Sequence, residues 1–60
     1  MLKCIAIDDE PIALSIISQY CERHGGVVLE TFSSPRLGMQ RVRECQPDIV
    51  FLDIEMNVGY

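Results

Sequence analysis

Acidic side chains follow two short apolar runs of this chain, and carboxylates in that position can bind a metal ion. Residues 4–7 are followed directly by Asp8 and Asp9, and residues 49–52 are followed by Asp53. Runs of this length, rich in Ile, Val and Phe, are typical of buried strands. Ligand sites in parallel α/β sheets lie beyond the carboxyl ends of the strands. Carboxylates brought there by two neighbouring strands would bind a hard cation and leave one carboxylate to react.

The chemistry that such a group favours is Mg²⁺-assisted phosphoryl transfer to an aspartate. Carboxylates a few ångströms apart repel one another. This repulsion raises the proton affinity of one of them or favours the binding of a cation. Mg²⁺ accepts oxygen ligands and keeps several waters, so coordination positions remain for phosphate oxygens. Aspartate is an accepted nucleophile in covalent phosphoryl steps, and Asp53 would attack phosphorus beside the metal. The protein would contribute mainly positioning and charge stabilisation.

A structural interpretation of the first acidic cluster stands beside the chemical one. Asp9 or Glu10, which precede Pro11, could cap a helix N-terminus or place favourable negative charge there. Asp53, however, follows an apolar run of its own. The second acidic strand end therefore favours the chemical interpretation.

Five elements, in the order strand, helix, strand, helix, strand, must position these acids. The strands are predicted at residues 2–7, 27–32 and 49–52 from their apolar and β-branched composition. This alternation predicts parallel pairing through right-handed crossovers, with helices packed on the faces of the sheet. Such packing would allow the first and third strands to be apolar on both sides. The pattern does not fix the order of the strands.

The two helices are predicted from their caps and from apolar residues at helical spacing. Pro11 suits the first turn of the first helix, and the glycine pair 25–26 marks its end. Its apolar face is expected to consist of Ile12, Ile16, Ile17, Tyr20 and Cys21. The second helix is expected to start from the Ser34 cap and Pro35 and to end at residues 46–48. Its weaker apolar face consists of Leu37, Gly38, Val42 and Cys45.

Composition and charge narrow the classes of function. The chain has 60 residues and a formal net charge of −4, from five Lys or Arg against nine Asp or Glu. This balance argues against a nucleic-acid-binding face in this segment. Arg36, Arg41 and Arg43 of the second helix are interpreted as a solvated basic strip.

Three isolated cysteines without a CxxC spacing suit a reducing cytosol. No apolar stretch approaches the roughly 20 residues of a membrane span, so we expect a soluble, cytoplasmic protein.

Taken together, the two acidic segments resemble those of a response-regulator receiver domain. Residues 5–11, Ile-Ala-Ile-Asp-Asp-Glu-Pro, resemble the family's opening strand and acidic pair, and residues 47–56 resemble its phosphoacceptor segment. The resemblance implies a flavodoxin-like, doubly wound parallel α/β sheet in the order 2-1-3-4-5. Residues 1–60 would be the N-terminal portion of that domain, truncated to β-α-β-α-β in the order 2-1-3, without the fourth and fifth strands. The segment Ile-Asp-Asp-Glu-Pro-Ile-Ala-Leu, residues 7–14, is similar to the corresponding segment of regulators with a LytTR-type DNA-binding output domain.

The resemblance also implies a role for each acidic residue. Asp53 would be the phosphoacceptor, Asp9 would bind Mg²⁺ directly, and Asp8 would bind it directly or through water. Asp53 and the backbone carbonyl of Glu55 would complete the metal's protein ligands. The phosphoryl group would come from a sensor histidine kinase and would switch an output domain outside this chain, with DNA binding as its expected activity. The segment would not be an enzyme beyond self-catalysed phosphotransfer and dephosphorylation.

The chain departs from the family's pattern after the acceptor segment. Asn57 stands where a proline is usual, and the family's Ser or Thr on the fourth strand and Lys on the fifth strand are not in this sequence. Lys3 cannot replace that lysine, because it lies at the start of the first strand, at the other end of the sheet. With three strands only, the third strand would keep an unpaired edge, which predicts a homodimer or a strand-exchanged oligomer.

Two other functions remain open at this point. A haloacid-dehalogenase-type phosphatase also uses an aspartate after a strand, with a second acid two residues further on, where this chain has Glu55. That interpretation leaves the Asp8-Asp9 pair unexplained. The other alternative is a fragment that acts only as an interaction or oligomerisation module, without phosphorylation.

Overall fold

The computed structural model describes residues 1–53, which form five elements in the predicted order. These are β1 (Leu2–Ile7), α1 (Pro11–His24), β2 (Val27–Phe32), α2 (Pro35–Cys45) and β3 (Ile49–Leu52). The strands form one parallel sheet in the order β2-β1-β3. The predicted β-α-β-α-β arrangement and its 2-1-3 strand order are therefore confirmed, as a truncated flavodoxin-like fold.

The two helices cover opposite faces of the sheet. A Cβ atom built on Gly38 of α2 would lie 2.5 Å from Ile7 Cγ1, so Ile7 points towards α2. Cys4 lines a cavity together with Cys21 of α1. Because successive side chains of a strand alternate between faces, Cys4, three residues before Ile7, points the other way. The sheet is thus doubly wound, with α1 on one face and α2 on the other.

The core of the described residues is centred on β1. Cys4, Ile5, Ala6 and Ile7 are each no more than 3% exposed, because this strand is paired on both edges and covered on both faces. The apolar side chains of β3 are much less protected. Ile49, Val50 and Leu52 are 38–48% exposed, on a strand that pairs only with β1. The prediction that β3 keeps an unpaired edge is confirmed for residues 1–53.

The apolar face predicted for α1 is partly wrong. Ile17 and Cys21 do turn towards the sheet, where Cys21 is buried, but Ile12, Ile16 and Tyr20 are 61–72% exposed. Apolar side chains occupy more than half of the circumference of this helix, and the sheet can cover only one side of it. Periodicity shows that such a helix is amphipathic, but it does not show which edge of a broad apolar arc faces the sheet.

The ends of the helices follow the predicted chemistry. The Ser34 hydroxyl accepts a hydrogen bond from the Leu37 N–H at 3.3 Å, as expected of an N-cap. Gly25 and Gly26, after α1, have φ angles of 78° and 68°. The Gly25 N–H donates to the carbonyl oxygen of Cys21 at 3.1 Å. Glycine is required in this left-handed region because a side chain would be strained there.

Gly38 is needed for the close approach of α2 to β1, and replacing it should destabilise the fold. Glycine inside a helix costs about 1 kcal/mol relative to alanine, so propensity alone predicts that Gly38→Ala is stabilising. The added methyl group would instead meet the buried, β-branched Ile7 at 2.5 Å. We expect a net loss of about 1–2 kcal/mol in the free energy of unfolding, because overpacking of this kind outweighs the propensity gain.

Urea unfolding followed by circular dichroism would measure this change. Gln40→Ala, at an exposed position on the same helix, is the matched control and should leave stability nearly unchanged. An increase in stability for Gly38→Ala would show that α2 does not depend on this contact.

The buried thiol of Cys4 should make stability sensitive to high pH. Burial raises the pKa of Cys4 above its ordinary value of 9.0, with smaller contributions from the negative charges of Cys21 and Asp48. The folded chain therefore holds this proton more tightly than the unfolded chain does. The free energy of unfolding should be unaffected below about pH 9 and should fall as the pH rises from there towards the folded-state pKa.

Urea titrations at several alkaline pH values would detect the decline. It should be smaller in Cys4→Ala and of full size in Cys45→Ala, since Cys45 is only half-buried. Declines of equal size in both variants would contradict this assignment.

Candidate metal centre

The register of the sheet brings two strand ends together. Ile7 of β1 lies opposite Leu52 of β3, so Asp8 and Asp53 leave the sheet side by side. Backbone hydrogen bonds hold both residues at this edge. The Asp53 N–H donates to the carbonyl oxygen of Ile7 at 3.2 Å, and the Asp8 N–H donates to that of Phe32 at 3.1 Å. The central position of β1 is what makes these two acidic ends neighbours.

Three carboxylates meet at this point. Asp8, Asp9 and Asp53 each offer one oxygen, and these three oxygens all lie within 4.8 Å of one another. Asp8 is buried, Asp53 is half-buried and Asp9 is exposed. Within residues 1–53 this is the only group of three or more histidine, cysteine or carboxylate side chains with such spacing. The three predicted site residues of the described chain are therefore brought together.

The Asp8 carboxylate is oriented by the backbone that follows it. Its Oδ1 atom accepts a hydrogen bond from the Glu10 N–H at 2.9 Å, which is the geometry of an Asx turn. Glu10 occupies the N-cap position of α1, yet its side chain makes no capping hydrogen bond. The capping interpretation is therefore wrong for Glu10, whose backbone instead fixes Asp8. The sequence signal for this contact is an aspartate placed two residues before the cap position.

An open cavity of about 440 Å³ adjoins the carboxylates. Its lining includes the acidic residues Asp8, Glu10 and Asp53, together with Ala13 and Ile17 of α1. The space is large enough for a small phosphate-bearing group beside the acids. Its lining therefore combines acidic and apolar residues.

The donor set fits a hard divalent cation. All three side chains present carboxylate oxygens, which suit Mg²⁺, whereas soft thiolate ligands are absent from this cluster. Three like charges so close together also repel one another unless a cation or a proton intervenes. Asp8, Asp9 and Asp53 could therefore hold Mg²⁺ and leave coordination positions for water and phosphate oxygens.

Other residues considered in the sequence lie away from this cluster. The backbone carbonyl of Glu55, predicted as a metal ligand, lies outside the described residues, and so does Asn57. Lys3 is at the opposite end of β1, where its N–H donates to Asp48 Oδ2 at 2.8 Å. It cannot reach the acidic edge, as predicted.

The fold is that of a small doubly wound α/β domain with a cluster of three carboxylates at the carboxyl ends of its strands. The family model of the response regulator receiver domain matches residues 4–59, and the chain belongs to this family. Receiver domains are signalling modules rather than typical enzymes. No solved structure matches the chain with comparable significance.

Curated relatives carry the same segment within longer proteins. The chain is 39% identical over 57 residues to an uncharacterized response regulatory protein of Vibrio parahaemolyticus, and 35% identical over 57 residues to one of Vibrio vulnificus. Each match covers 93% of this chain and 24% of the relative. A protein-glutamate methylesterase/protein-glutamine glutaminase of Oleidesulfovibrio alaskensis is 33% identical over 57 residues, 15% of its length. The chain thus spans about a quarter of the length of the two Vibrio relatives.

Neither helix in the described part of the chain could cross a bilayer. Membrane-spanning helices need a longer and more apolar stretch than α1 or α2 provides.

Proposed function

We propose that this chain is the phosphoacceptor receiver module of a two-component response regulator. It takes a phosphoryl group from a sensor histidine kinase onto Asp53, with Mg²⁺ held by Asp8, Asp9, Asp53 and the backbone carbonyl of Glu55. The observation that carries the proposal is the set of three carboxylate oxygens within 4.8 Å at the ends of β1 and β3. Membership of the receiver family supports it.

The transfer requires little from the protein beyond orientation and charge. A carboxylate oxygen of Asp53 forms the new P–O bond while the P–N bond to the donor histidine breaks. The imidazole nitrogen leaves with the electron pair and takes up a proton. When bound, Mg²⁺ neutralises charge on the phosphoryl oxygens. The Glu10 N–H donates a hydrogen bond to Asp8 Oδ1. This bond limits the orientations of the Asp8 carboxylate.

The proposal extends to the rest of the regulator. Residues 1–60 form the N-terminal portion of the receiver, and the phosphorylated domain switches an output domain outside this chain. We favour a DNA-binding output of the LytTR type in the cytoplasm, on the similarity of residues 7–14 to such regulators. The small share of the Vibrio relatives that the chain covers supports an output domain elsewhere in the protein. The module itself would catalyse at most its own phosphorylation and dephosphorylation.

The test is covalent labelling with a small phosphodonor. The chain, the donor and Mg²⁺ are incubated together, and intact-mass spectrometry looks for an acid-stable, base-labile phosphoryl group. We expect one group per chain, and none when a chelator removes Mg²⁺. Absence of label on this chain, beside a labelled full-length receiver, would refute the proposal for this segment. Turnover of donor without a trapped intermediate would favour a phosphatase of the haloacid-dehalogenase type.

The exposed edge of β3 should make the chain associate with a second copy of itself. An apolar strand with one unpaired edge is a template for another strand, and Val50 is 38% exposed there. Light scattering over a wide concentration range should detect dimers or larger species. Val50→Lys should shift the equilibrium towards monomer, because an edge lysine opposes strand pairing.

Val28→Lys provides the matched control for this association. Val28 is 45% exposed and lies on β2, the opposite edge strand of the sheet. The Val28→Lys substitution should leave association through β3 intact. A chain that stays monomeric throughout, or equal effects of the two lysines, would refute pairing through β3.

A further inference from the structure

Glu10 is a fourth acidic residue beside the proposed acceptor, and the proposed phosphoryl transfer does not use its charge. Its N–H donates to Asp8 Oδ1 at 2.9 Å, and it lines the same cavity of about 440 Å³ as Asp8 and Asp53. Glu10 is exposed, and its side chain does not cap α1. Within residues 1–53 its carboxylate takes part in no ion pair. No neighbouring side chain of the described residues therefore neutralises this charge.

The Glu10 carboxylate also lies outside the group that could hold a cation. The three oxygens that lie within 4.8 Å of one another belong to Asp8, Asp9 and Asp53. A cation held by that group would offset the charges of its ligands, whereas Glu10 would keep its own. Among residues 1–53, none that lines the cavity is basic. A phosphodonor that enters the cavity is therefore repelled by the Glu10 charge in proportion to its own negative charge.

This repulsion does not depend on the rotamer of Glu10. The hydrogen bond from its N–H to Asp8 keeps the Glu10 carboxylate within about one Debye length, roughly 8–10 Å, of the Asp8 carboxylate in any rotamer. One additional unit of negative charge on a donor about 8 Å away in water is enough to slow a reaction roughly twofold. The expected effect is modest, but it differs between donors of different charge.

We propose that Glu10 is a specificity-determining residue that disfavours dianionic phosphodonors relative to monoanionic ones. The inference rests on the proposed function, because it concerns donors to Asp53. Acyl phosphates are dianions at neutral pH, whereas phosphoramidates, with a protonated nitrogen, are mainly monoanions. The Glu10 charge therefore favours phosphorylated nitrogen bases over acyl phosphates.

The covalent step is the same for both classes of donor. A carboxylate oxygen of Asp53 forms the new P–O bond in each case. With acetyl phosphate, the bond from phosphorus to the acyl oxygen breaks, and acetate leaves with the electron pair. With phosphoramidate, the P–N bond breaks, and ammonia leaves with the electron pair and the protons that the nitrogen already carried. The two reactions differ in the charge of the donor, which makes them a suitable pair of probes.

The competing explanation is that Glu10 only supports α1. A negative charge at a helix N-terminus is favourable, and the first turn of α1 contains no acidic residue. Loss of that support would slow labelling by both donors to the same extent. The ratio of the two rates separates the explanations, because a loss common to both donors cancels in it.

Labelling of the chain by acetyl phosphate and by phosphoramidate, each with excess Mg²⁺ at low ionic strength, tests the proposal. Intact-mass spectrometry gives the two initial rates. We expect Glu10→Gln to raise the acetyl phosphate rate relative to the phosphoramidate rate roughly twofold. Glu10→Asp keeps the charge and should keep the wild-type ratio. In about 1 M salt, where the Debye length falls to about 3 Å, wild type and Glu10→Gln should have the same ratio.

Glu22→Gln is the matched control, because Glu22 is an exposed acid on the same helix, about 18 Å along the axis from Glu10. It should leave the ratio unchanged. If Glu10→Gln fails to fold, as judged by circular dichroism, Glu10→Ser repeats the test with a neutral residue that is preferred at a helix N-cap.

Three outcomes would overturn the role of Glu10. They are an unchanged ratio in the neutral Glu10 variant, an equal change in Glu22→Gln, and a difference that persists in 1 M salt. Each of them leaves the acceptor role of Asp53 intact, since the wild type is still labelled. Failure of both donors to label the wild type would instead refute the proposed function, and the role of Glu10 with it.

Discussion

Asp53→Asn should abolish phosphoryl incorporation from a small phosphodonor. The side chain keeps its size and its place after β3, but an amide oxygen is a far weaker nucleophile than a carboxylate oxygen. It also carries no charge to attract the metal. We expect a loss of roughly a thousandfold or more, since removing the nucleophile of a covalent catalyst has effects at least this large. Phosphorylation is measured by intact-mass spectrometry as a function of time, with Mg²⁺ in excess.

Asp48→Asn is the control for this result, because it makes the same change at the other end of β3. Asp48 Oδ2 accepts a hydrogen bond from the Lys3 N–H at 2.8 Å, and an asparagine oxygen can still accept that bond. The control should be labelled at the wild-type rate. Label retained by Asp53→Asn would show that another residue is the acceptor, and equal loss in both variants would point to damage to β3.

Asp8→Asn should weaken Mg²⁺ binding by more than tenfold and stabilise the metal-free chain. The Oδ1 atom of the substituted side chain can still accept a hydrogen bond from the Glu10 N–H, as Asp8 Oδ1 does at 2.9 Å. The local turn is therefore kept. One of three charges within 4.8 Å is removed. Relief of that repulsion should raise the free energy of unfolding of the metal-free chain. The same lost charge reduces the attraction for Mg²⁺.

Isothermal calorimetry with Mg²⁺ and thermal unfolding with and without the ion would measure both effects. Glu22→Gln is the control, because it removes one exposed negative charge near the end of α1. It should change neither quantity by much. An Asp8→Asn chain that binds Mg²⁺ normally, or that is less stable without metal, would show that the carboxylates do not act as one group.

The sequence predicted the strands and helices well, because each of them depends on residues that are close in the chain. The strands at 2–7, 27–32 and 49–52 match the structure residue for residue. Ser34 and the glycine pair 25–26 cap the helices as predicted. Each of these features is decided by side chains within a few residues, so periodicity and capping chemistry suffice.

Features that depend on distant partners were missed. The outward orientation of Ile12 and Ile16 depends on where the sheet lies against α1. Arg41 was assigned to a solvated basic strip, but its Nε donates to Glu30 Oε1 at 3.0 Å, across to β2. No pattern in the sequence pairs these two residues. The half-exposed ion pair links α2 to the edge of the sheet.

The candidate site depends both on residues close in sequence and on distant partners, and the sequence predicted only part of it. The acids after each strand are visible in the sequence, but only the position of β1 beside β3 brings Asp8 and Asp53 together. Apolar patterning does not determine that strand order, which came from the family resemblance. The Asx turn between Asp8 and the Glu10 N–H was also missed. Glu55 cannot be compared, because it lies outside the described residues.

The hydrogen bonds at the start of β3 fix the register that places Asp53 beside Asp8. Lys3 and Asp48 are joined by two of them, from the Lys3 N–H to Asp48 Oδ2 and from the Asp48 N–H to the Lys3 carbonyl oxygen, both at 2.8 Å. A slip of one residue at this point would carry Asp53 to the α2 face, away from Asp8. A single-residue insertion at 46–48 that shifted this register would separate Asp53 from Asp8 while leaving every acidic residue in the chain.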